Sequence, residues 1–133
     1  MIRQRLVQLA AAALLAGGLL AASPASPAMA STPTCDWVAL YNNAWVPMYK
    51  AGNTVTCNMV QGTHSAAVQK LQYTMNYCYG ENLALDSDFG PATKAALIRV
   101  QRIAGTPADG QYGPNTRRAM YWVDTNGYCV QVG

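Results

Sequence analysis

Residues 86–93 read DSDFGPAT and residues 109–116 read DGQYGPNT, so a short phrase occurs twice, 23 residues apart. Both copies, here the first and second repeat loops, run Asp, small residue, any residue, aromatic, Gly, Pro, any residue, Thr. Proline is favoured at the first position of a helix, where its missing N–H would have no partner. An internal repeat of this kind predicts a fold built from a duplicated loop-helix unit.

Residues 1–30 have the pattern of a secretory signal peptide. Arg3 and Arg5 give a positive start, the stretch 6–22 is apolar, and residues 28–30 (AMA) place small side chains at the cleavage positions. We expect cleavage after this triplet, because the apolar stretch is short for a membrane anchor. The rest of the chain has no apolar run of spanning length, so we expect a secreted protein without membrane contact after cleavage.

The charge balance argues against one class of partner, nucleic acids. The chain has nine Lys and Arg and six Asp and Glu. Because Arg3 and Arg5 belong to the leader, residues 31–133 keep seven basic and six acidic groups and a net charge of +1. A nucleic-acid-binding module would show a basic excess. We therefore expect no nucleic-acid partner, and a single monomeric domain.

All four cysteines follow the leader. An even number in a small exported chain predicts two disulfides, for which three pairings are possible. A metal site is disfavoured because no two cysteines have zinc-knuckle spacing and the only histidine is His64, so we expect no metal and no cofactor. We predict Cys35–Cys57, which would close the N-terminal segment on itself, and Cys78–Cys129, which would tie the first helix to the tail.

Residues 31–61 predict an extended, hairpin-like arm. Stretches that favour β-structure at 37–41 and 45–49 are separated by Asn42-Asn43, a turn signal. The arm is rich in aromatic residues, which would form either a sugar-stacking face or a packing surface against the helices. Packing is the favoured interpretation, because a small domain must bury its aromatic side chains. The residues concerned are Trp37, Tyr41, Trp45 and Tyr49.

Three helices are predicted after the arm. Apolar residues recur every three or four positions from 66 to 77, and Gly80 ends that helix. The second helix runs from Pro91 to Ala104 and the third from Pro114 to about Trp122. The sequence therefore predicts a mainly α fold: a small three-helix bundle over 62–133 built from the duplicated loop-helix unit, with an extended arm over 31–61 and two disulfides. The expected inward face of the second helix is Ala96, Leu97, Val100 and Ile103.

The order of these elements resembles a known family. Residues 68–72 (VQKLQ), the first repeat loop, Val100-Gln101 and the second repeat loop are similar in order and spacing to the three-helix peptidoglycan-binding domain. Ser87 stands where that family has Gly, and Val100 where it usually has Phe. The resemblance covers about 65–122. It implies a non-catalytic module that anchors an exported protein to the bacterial cell wall, with peptidoglycan as its partner.

Loop residues suggest how peptidoglycan would be held. Carboxylates and amides would bond stem-peptide amides and sugar hydroxyls, tyrosine rings would stack on a sugar, and an arginine would meet a stem-peptide carboxylate. The structural alternatives are turn formation for the aspartates and a solvated helix face for the basic residue. The candidate ligand-binding residues are Tyr79, Asp86, Asp88, Tyr112, Asn115 and Arg117.

We expect the protein not to be an enzyme. One histidine and disulfide-bonded cysteines cannot supply the ligands of a zinc hydrolase, and no G-x-S-x-G sequence is present. A carboxylate pair drawn from Asp86, Asp88 and Asp109 is conceivable, but turn formation explains these residues first. The predicted function is cell-wall binding. The alternative is a secreted protein-interaction or inhibitor module on the same scaffold, which would use the aromatic arm.

Overall fold

Seven short elements follow one another in residues 31–133, the part of the chain that a computed structural model describes. The predicted signal peptide lies outside these residues. Residues 31–133 form one compact unit. The elements are β1 (Trp37–Tyr41), β2 (Ala44–Met48), α1 (Ala66–Tyr79), α2 (Pro91–Ala104), α3 (Pro114–Ala119), β3 (Tyr121–Val123) and β4 (Cys129–Gln131).

The fold is mixed α/β, so the expectation of a mainly α three-helix bundle is wrong. Two antiparallel hairpins, β1–β2 and β3–β4, accompany the helices. The third helix ends at Ala119, well before the predicted Trp122, because Met120 is extended (φ −77°, ψ 157°). Tyr, Trp and Val at 121–123 favour a strand, and they pair with β4. Trp122 therefore enters the core from a strand.

The first hairpin has the tight turn that its sequence predicts. Asn42 (φ 45°) and Asn43 (φ 67°) both adopt left-handed backbone, the combination that matches the twist of two strands joined by a two-residue turn. In β2, Ala44, Val46 and Met48 are buried. The arm is thus a hairpin that packs one face against the helices.

The first two helices begin and end where the sequence indicates. The hydroxyl of Ser65 accepts the N–H of Val68 at the start of α1, and Gly80 ends it in left-handed backbone. In α2 the predicted inward position of Ile103 is wrong, because that side chain is 69% exposed. Gln101 takes the inward position beside Val100.

Two disulfides form with the pairing expected from the sequence: one closes the N-terminal arm on itself and the other ties the second hairpin to α1. Cys35–Cys57 has a Cα–Cα distance of 5.1 Å, and Cys78–Cys129, which joins α1 to β4, has one of 5.8 Å. A backbone bridge between Ala44 and Asp124 also links the two hairpins. Residues from both hairpins, from α1 and α2 and from the repeat loops contribute to one buried core, including Val46, Leu71, Leu97, Tyr112 and Trp122.

Residues 58–64, the later part of the chain between the first hairpin and α1, touch both repeat loops and are called the connecting segment. Met59 exchanges two backbone hydrogen bonds with Tyr112, each 2.9 Å long. Phe89 donates to the Thr63 carbonyl at 2.9 Å and accepts from Gly62 at 2.8 Å. The aromatic residue of each repeat loop is therefore pinned, through its backbone, to the same segment.

Candidate functional site

One buried side chain, Gln72 of α1, holds the first repeat loop. Its Nε2 donates to Asp86 Oδ1 at 2.9 Å and to the Asp88 carbonyl and Thr93 Oγ1 at 3.0 Å. Its Oε1 accepts the N–H of Ser87 at 3.2 Å. Both ends of the amide are thus used to hold the loop in one conformation.

Gln101 of α2 holds the second repeat loop in the same way. Its Nε2 donates to Asp109 Oδ1 at 3.1 Å, to the Gln111 carbonyl at 2.8 Å and to Thr116 Oγ1 at 3.1 Å. Its Oε1 accepts the N–H of Gly110 at 2.9 Å. Sequence reasoning missed the role of both glutamines. The sequence feature that could have indicated it is that each glutamine directly follows a buried apolar residue of its helix, Leu71 or Val100.

Each repeat loop opens with an aspartate whose side chain forms a turn. Asp86 accepts the N–H of Asp88 and Asp109 accepts the N–H of Gln111, each at 2.9 Å. The Asp88 N–H, followed by the Gln72 amide, holds the pKa of Asp86 below its usual value. The Asp86 carboxylate is therefore charged and already engaged within the protein.

Asp88 lies on the exposed surface of the first repeat loop. Its side chain pairs with Nδ1 of His64, which belongs to the connecting segment. The Asp88 carbonyl faces the other way and accepts from Gln72 and Thr93. Asp88 thus remains accessible, with a histidine as its neighbour.

Tyr79 supports the second hairpin. Its hydroxyl oxygen accepts the N–H of Tyr121 at 2.8 Å, and the two ring centroids lie 6.4 Å apart. Partial burial is the main reason why its pKa is raised.

The structure removes Tyr112 and Arg117 from the candidate ligand-binding residues. Tyr112 is 1% exposed, its ring meets Trp122 edge-on at 5.9 Å, and burial raises its pKa. Arg117 is 4% exposed; it donates to the Val132 carbonyl at 3.3 Å and lies 4.9 Å from the Tyr41 ring centroid. The predictions of sugar stacking and carboxylate binding by these side chains are wrong, because both are inside the core.

Asn115 borders an open groove of about 240 Å³ beside the second repeat loop. We name it the repeat-loop groove; its more accessible polar side chains are Asn58, Thr106, Asp109, Gln111 and Asn115, and the buried Tyr112 and Thr116 also line it. Asn115 Oδ1 accepts from Arg118 at 2.6 Å, which orients the amide. A Cβ at Gly113 would lie 2.9 Å from Asn58 Oδ1, so glycine allows the connecting segment to close this groove on one side. Asp86, Asp88 and Tyr79 do not border it.

A larger groove of about 640 Å³ lies among the first hairpin, α1 and the turn after β3. We name it the aromatic groove; it includes Trp45, Lys70, Tyr73, Leu85, Asp124 and Thr125. Of the four arm aromatics, Trp37 and Trp45 are exposed, whereas Tyr41 and Tyr49 pack against the core. Sequence reasoning missed Tyr73. Its spacing of four residues from Tyr77, which places both rings on one helix face, was the available signal.

Comparison with known proteins identifies the helical part of the chain. The family described as "Putative peptidoglycan binding domain" matches residues 64–120. Residues 64–120 are a peptidoglycan-binding domain. The resemblance expected from the repeat loops is therefore confirmed, and this domain holds every polar side chain of the repeat-loop groove except Asn58.

A curated relative extends the similarity beyond the peptidoglycan-binding domain. The chain is 36% identical over 122 residues to a zinc D-Ala-D-Ala carboxypeptidase of Streptomyces albus G. The alignment covers 90% of this chain, so it includes much of the hairpin arm, and 46% of the relative. This chain thus spans about half the length of that enzyme.

Two solved structures are also similar. One is the Burkholderia AP3 phage endolysin, with 34% identity, 44% of this chain and 22% of that chain covered, and a TM-score of 0.42. The other is a peptidoglycan-binding protein from Clostridioides difficile in complex with glutamine hydroxamate. It has 26% identity, covers 59% of this chain and 52% of that chain, and has a TM-score of 0.47.

The expectation that the protein is not an enzyme is overturned by the carboxypeptidase, since that relative is catalytic. Residues 31–133 do not by themselves provide the ligands of a zinc site. They hold a single histidine, all four cysteines are in disulfides, and no group of three or more His, Cys, Asp or Glu within them is placed to hold a metal.

The peptidoglycan-binding domain and the disulfides fit a cell-wall or extracellular location. Among the helices of residues 31–133, none combines the length and apolar character needed to cross a membrane.

Proposed function

We propose that this protein is exported and binds peptidoglycan, with the repeat-loop groove as a contact surface. The observation that carries the proposal is the family match over residues 64–120, which supply nearly all of the groove. The two disulfides support export, because such bonds persist in oxidising compartments.

The groove offers hydrogen-bonding groups of the kind that a wall polymer needs. Gln111 and Asn115 carry exposed amides, and Asp109 carries an exposed carboxylate. Amides donate and accept hydrogen bonds, so they suit sugar hydroxyls, N-acetyl groups and the amides of stem peptides. Because Gln101 already holds the loop, binding orders little additional backbone.

A binding assay with purified, protein-free peptidoglycan tests the proposal. We expect the protein to sediment with peptidoglycan and to stay in solution with cellulose or chitin. The double variant Gln111→Ala/Asn115→Ala should bind about tenfold more weakly, equivalent to about 1.4 kcal/mol. Equal sedimentation with all three polymers would sink the proposal.

The matched control replaces an exposed glutamine and asparagine outside the groove, Gln61→Ala/Asn82→Ala. This control should bind as the unmodified protein does. Export is tested separately. Mass spectrometry of the culture supernatant should find a chain that begins at Ser31, and retention of the intact chain in cells would contradict export.

The similarity to the carboxypeptidase supports a second candidate, a role for the whole protein in D-Ala-D-Ala chemistry at the wall. The zinc ligands for such a reaction would come from outside residues 31–133. Release of D-alanine from a peptide ending in D-Ala-D-Ala, measured with and without added zinc, tests this candidate. No release above the rate without protein would reject it.

A further inference from the structure

The aromatic groove lies apart from the repeat-loop groove and has a ligand-sized volume. At about 640 Å³ it is within the range of sites that hold small molecules, about 300–1,000 Å³. Trp45 and the turn residues Asp124 and Thr125 fall outside the matched residues 64–120. The hairpins thus add a surface that the family match does not cover.

Two aromatic rings stand at this groove and are open to solvent. Trp45 is 42% exposed because β2 turns its neighbours Ala44 and Val46 to the core instead. Tyr73 is 37% exposed, and its ring stacks on that of Tyr77 with centroids 5.7 Å apart. Trp and Tyr rings combine an apolar face with a polar edge, which suits contacts with partly polar ligands.

Lys70 gives the groove a positive charge. Its Nζ lies 4.7 Å from the Tyr73 ring centroid, and burial lowers its pKa. Within the described part of the chain Lys70 takes part in neither ion pair. The acidic neighbour Asp124 uses its carboxylate to accept the N–H groups of Asn126 and Tyr128, both at 2.8 Å. Both bonds end on Oδ1 of Asp124, and the groove presents the Lys70 ammonium as its one basic group, beside the Asp124 carboxylate.

We propose that the aromatic groove binds a second part of peptidoglycan, a sugar ring together with the carboxylate of its stem peptide. The sugar would lie against Trp45 and Tyr73, and the carboxylate would pair with Lys70. This inference rests on the proposed function, since it assigns a further contact to the same polymer. Because Lys70 is the one basic residue that lines the groove, a glycopeptide whose carboxylate can reach it is favoured over a neutral glycan.

The test uses soluble disaccharide-peptides released from peptidoglycan, titrated against the full protein by isothermal titration calorimetry, which does not depend on Trp45 as a reporter. Trp45→Ala and Lys70→Gln should each weaken binding about five- to tenfold, the size of one lost aromatic contact or one exposed hydrogen bond. The same disaccharide without its stem peptide should bind less tightly and should not respond to Lys70→Gln.

The chain offers a matched control pair. Lys50 Nζ lies 4.6 Å from the ring centroid of Trp37, the same arrangement outside the groove. Trp37→Ala and Lys50→Gln should bind as the unmodified protein does. Far-UV circular dichroism checks that each variant is folded. If Trp45→Ala disturbs the first hairpin, Lys70→Gln still tests the groove, because Lys70 lies on α1.

The outcomes separate the two proposals. If the unmodified protein does not bind peptidoglycan, the proposed function fails and this inference fails with it. If Gln111→Ala/Asn115→Ala weakens binding while Trp45→Ala and Lys70→Gln bind normally, the proposed function stands and the aromatic groove is rejected. An equal loss of binding in Trp37→Ala and Lys50→Gln would also reject the aromatic groove as a binding site.

Discussion

Gln101 forms the same set of hydrogen bonds with the second repeat loop as Gln72 forms with the first. Each side chain reaches the loop aspartate, a backbone carbonyl and the loop threonine, and each accepts one loop N–H. Gln72 precedes its aspartate by 14 residues and Gln101 precedes its own by 8. The structural repeat is therefore a helix glutamine plus a loop, with a connection of variable length.

Replacing Gln101 should be costly. Gln101→Met would leave the buried N–H of Gly110 without its partner and would remove the amide donor from Asp109, Gln111 and Thr116, so we expect a loss of about 2–4 kcal/mol in the free energy of unfolding. Denaturant titration measures it. The control Gln69→Met removes one exposed bond to the Leu85 carbonyl and should change stability by less than about 0.5 kcal/mol. Similar losses in both variants would contradict the role given to Gln101.

The repeat loops differ at one strained position. Ser87 adopts φ 66° where the second loop has Gly110 at φ 70°. Left-handed backbone costs a non-glycine residue about 1–2 kcal/mol, and glycine loses about 0.5–1 kcal/mol more chain entropy on folding. Ser87→Gly should therefore stabilise the protein by up to about 1 kcal/mol, or a few degrees in Tm.

The reverse exchange should destabilise. In Gly110→Ser the new Cβ would lie 2.8 Å from Cγ of Lys94 and 3.1 Å from Cγ1 of Ile98, in addition to the backbone cost. We expect a loss of about 1–3 kcal/mol, read from thermal unfolding. Changes of the same sign in Ser87→Gly and Gly110→Ser would refute this account of the loops.

Asp86 should make stability depend on pH in acid. Hydrogen bonds from Asp88 and Gln72 hold its pKa in the folded protein below the unfolded value, so the unfolded chain binds the proton first. Its contribution is present above about pH 4 and is lost as the pH falls through the folded pKa. Asp86→Asn keeps an acceptor oxygen but does not titrate. Its Tm should therefore fall less steeply than that of the unmodified protein between about pH 4 and pH 2; parallel curves would rule out this contribution.

The two disulfides should differ in their contribution. Cys78–Cys129 spans 51 residues and Cys35–Cys57 spans 22. The chain-entropy relation gives about 4 kcal/mol for the longer loop and about 3 kcal/mol for the shorter. Paired Cys→Ala variants, compared by denaturant titration, should rank in that order. The reverse order would show that native packing, not loop length, decides the effect.

Local features of the fold could be read directly from residues near one another in the chain. The hairpin at 37–48, the capped ends of α1 and α2, and the turn-forming role of Asp86 and Asp109 follow from the geometry of neighbouring residues. The end of α3 could not be read in this way. Tyr121–Val123 is a strand because β4 lies beside it, and β4 is held there by the bond from Cys78 to Cys129.

The sequence by itself determined the repeat, its turn chemistry and the family that these identify, since those depend on residue types at fixed local spacing. Only the tertiary structure decided which repeat-loop side chains are exposed and which are buried. Tyr112 and Asn115 sit three positions apart in one phrase, yet Trp122 and the connecting segment enclose the tyrosine and leave the asparagine open. Exposure is set by elements distant in the chain, and so is the meeting of Trp45, Lys70 and Tyr73 in one groove.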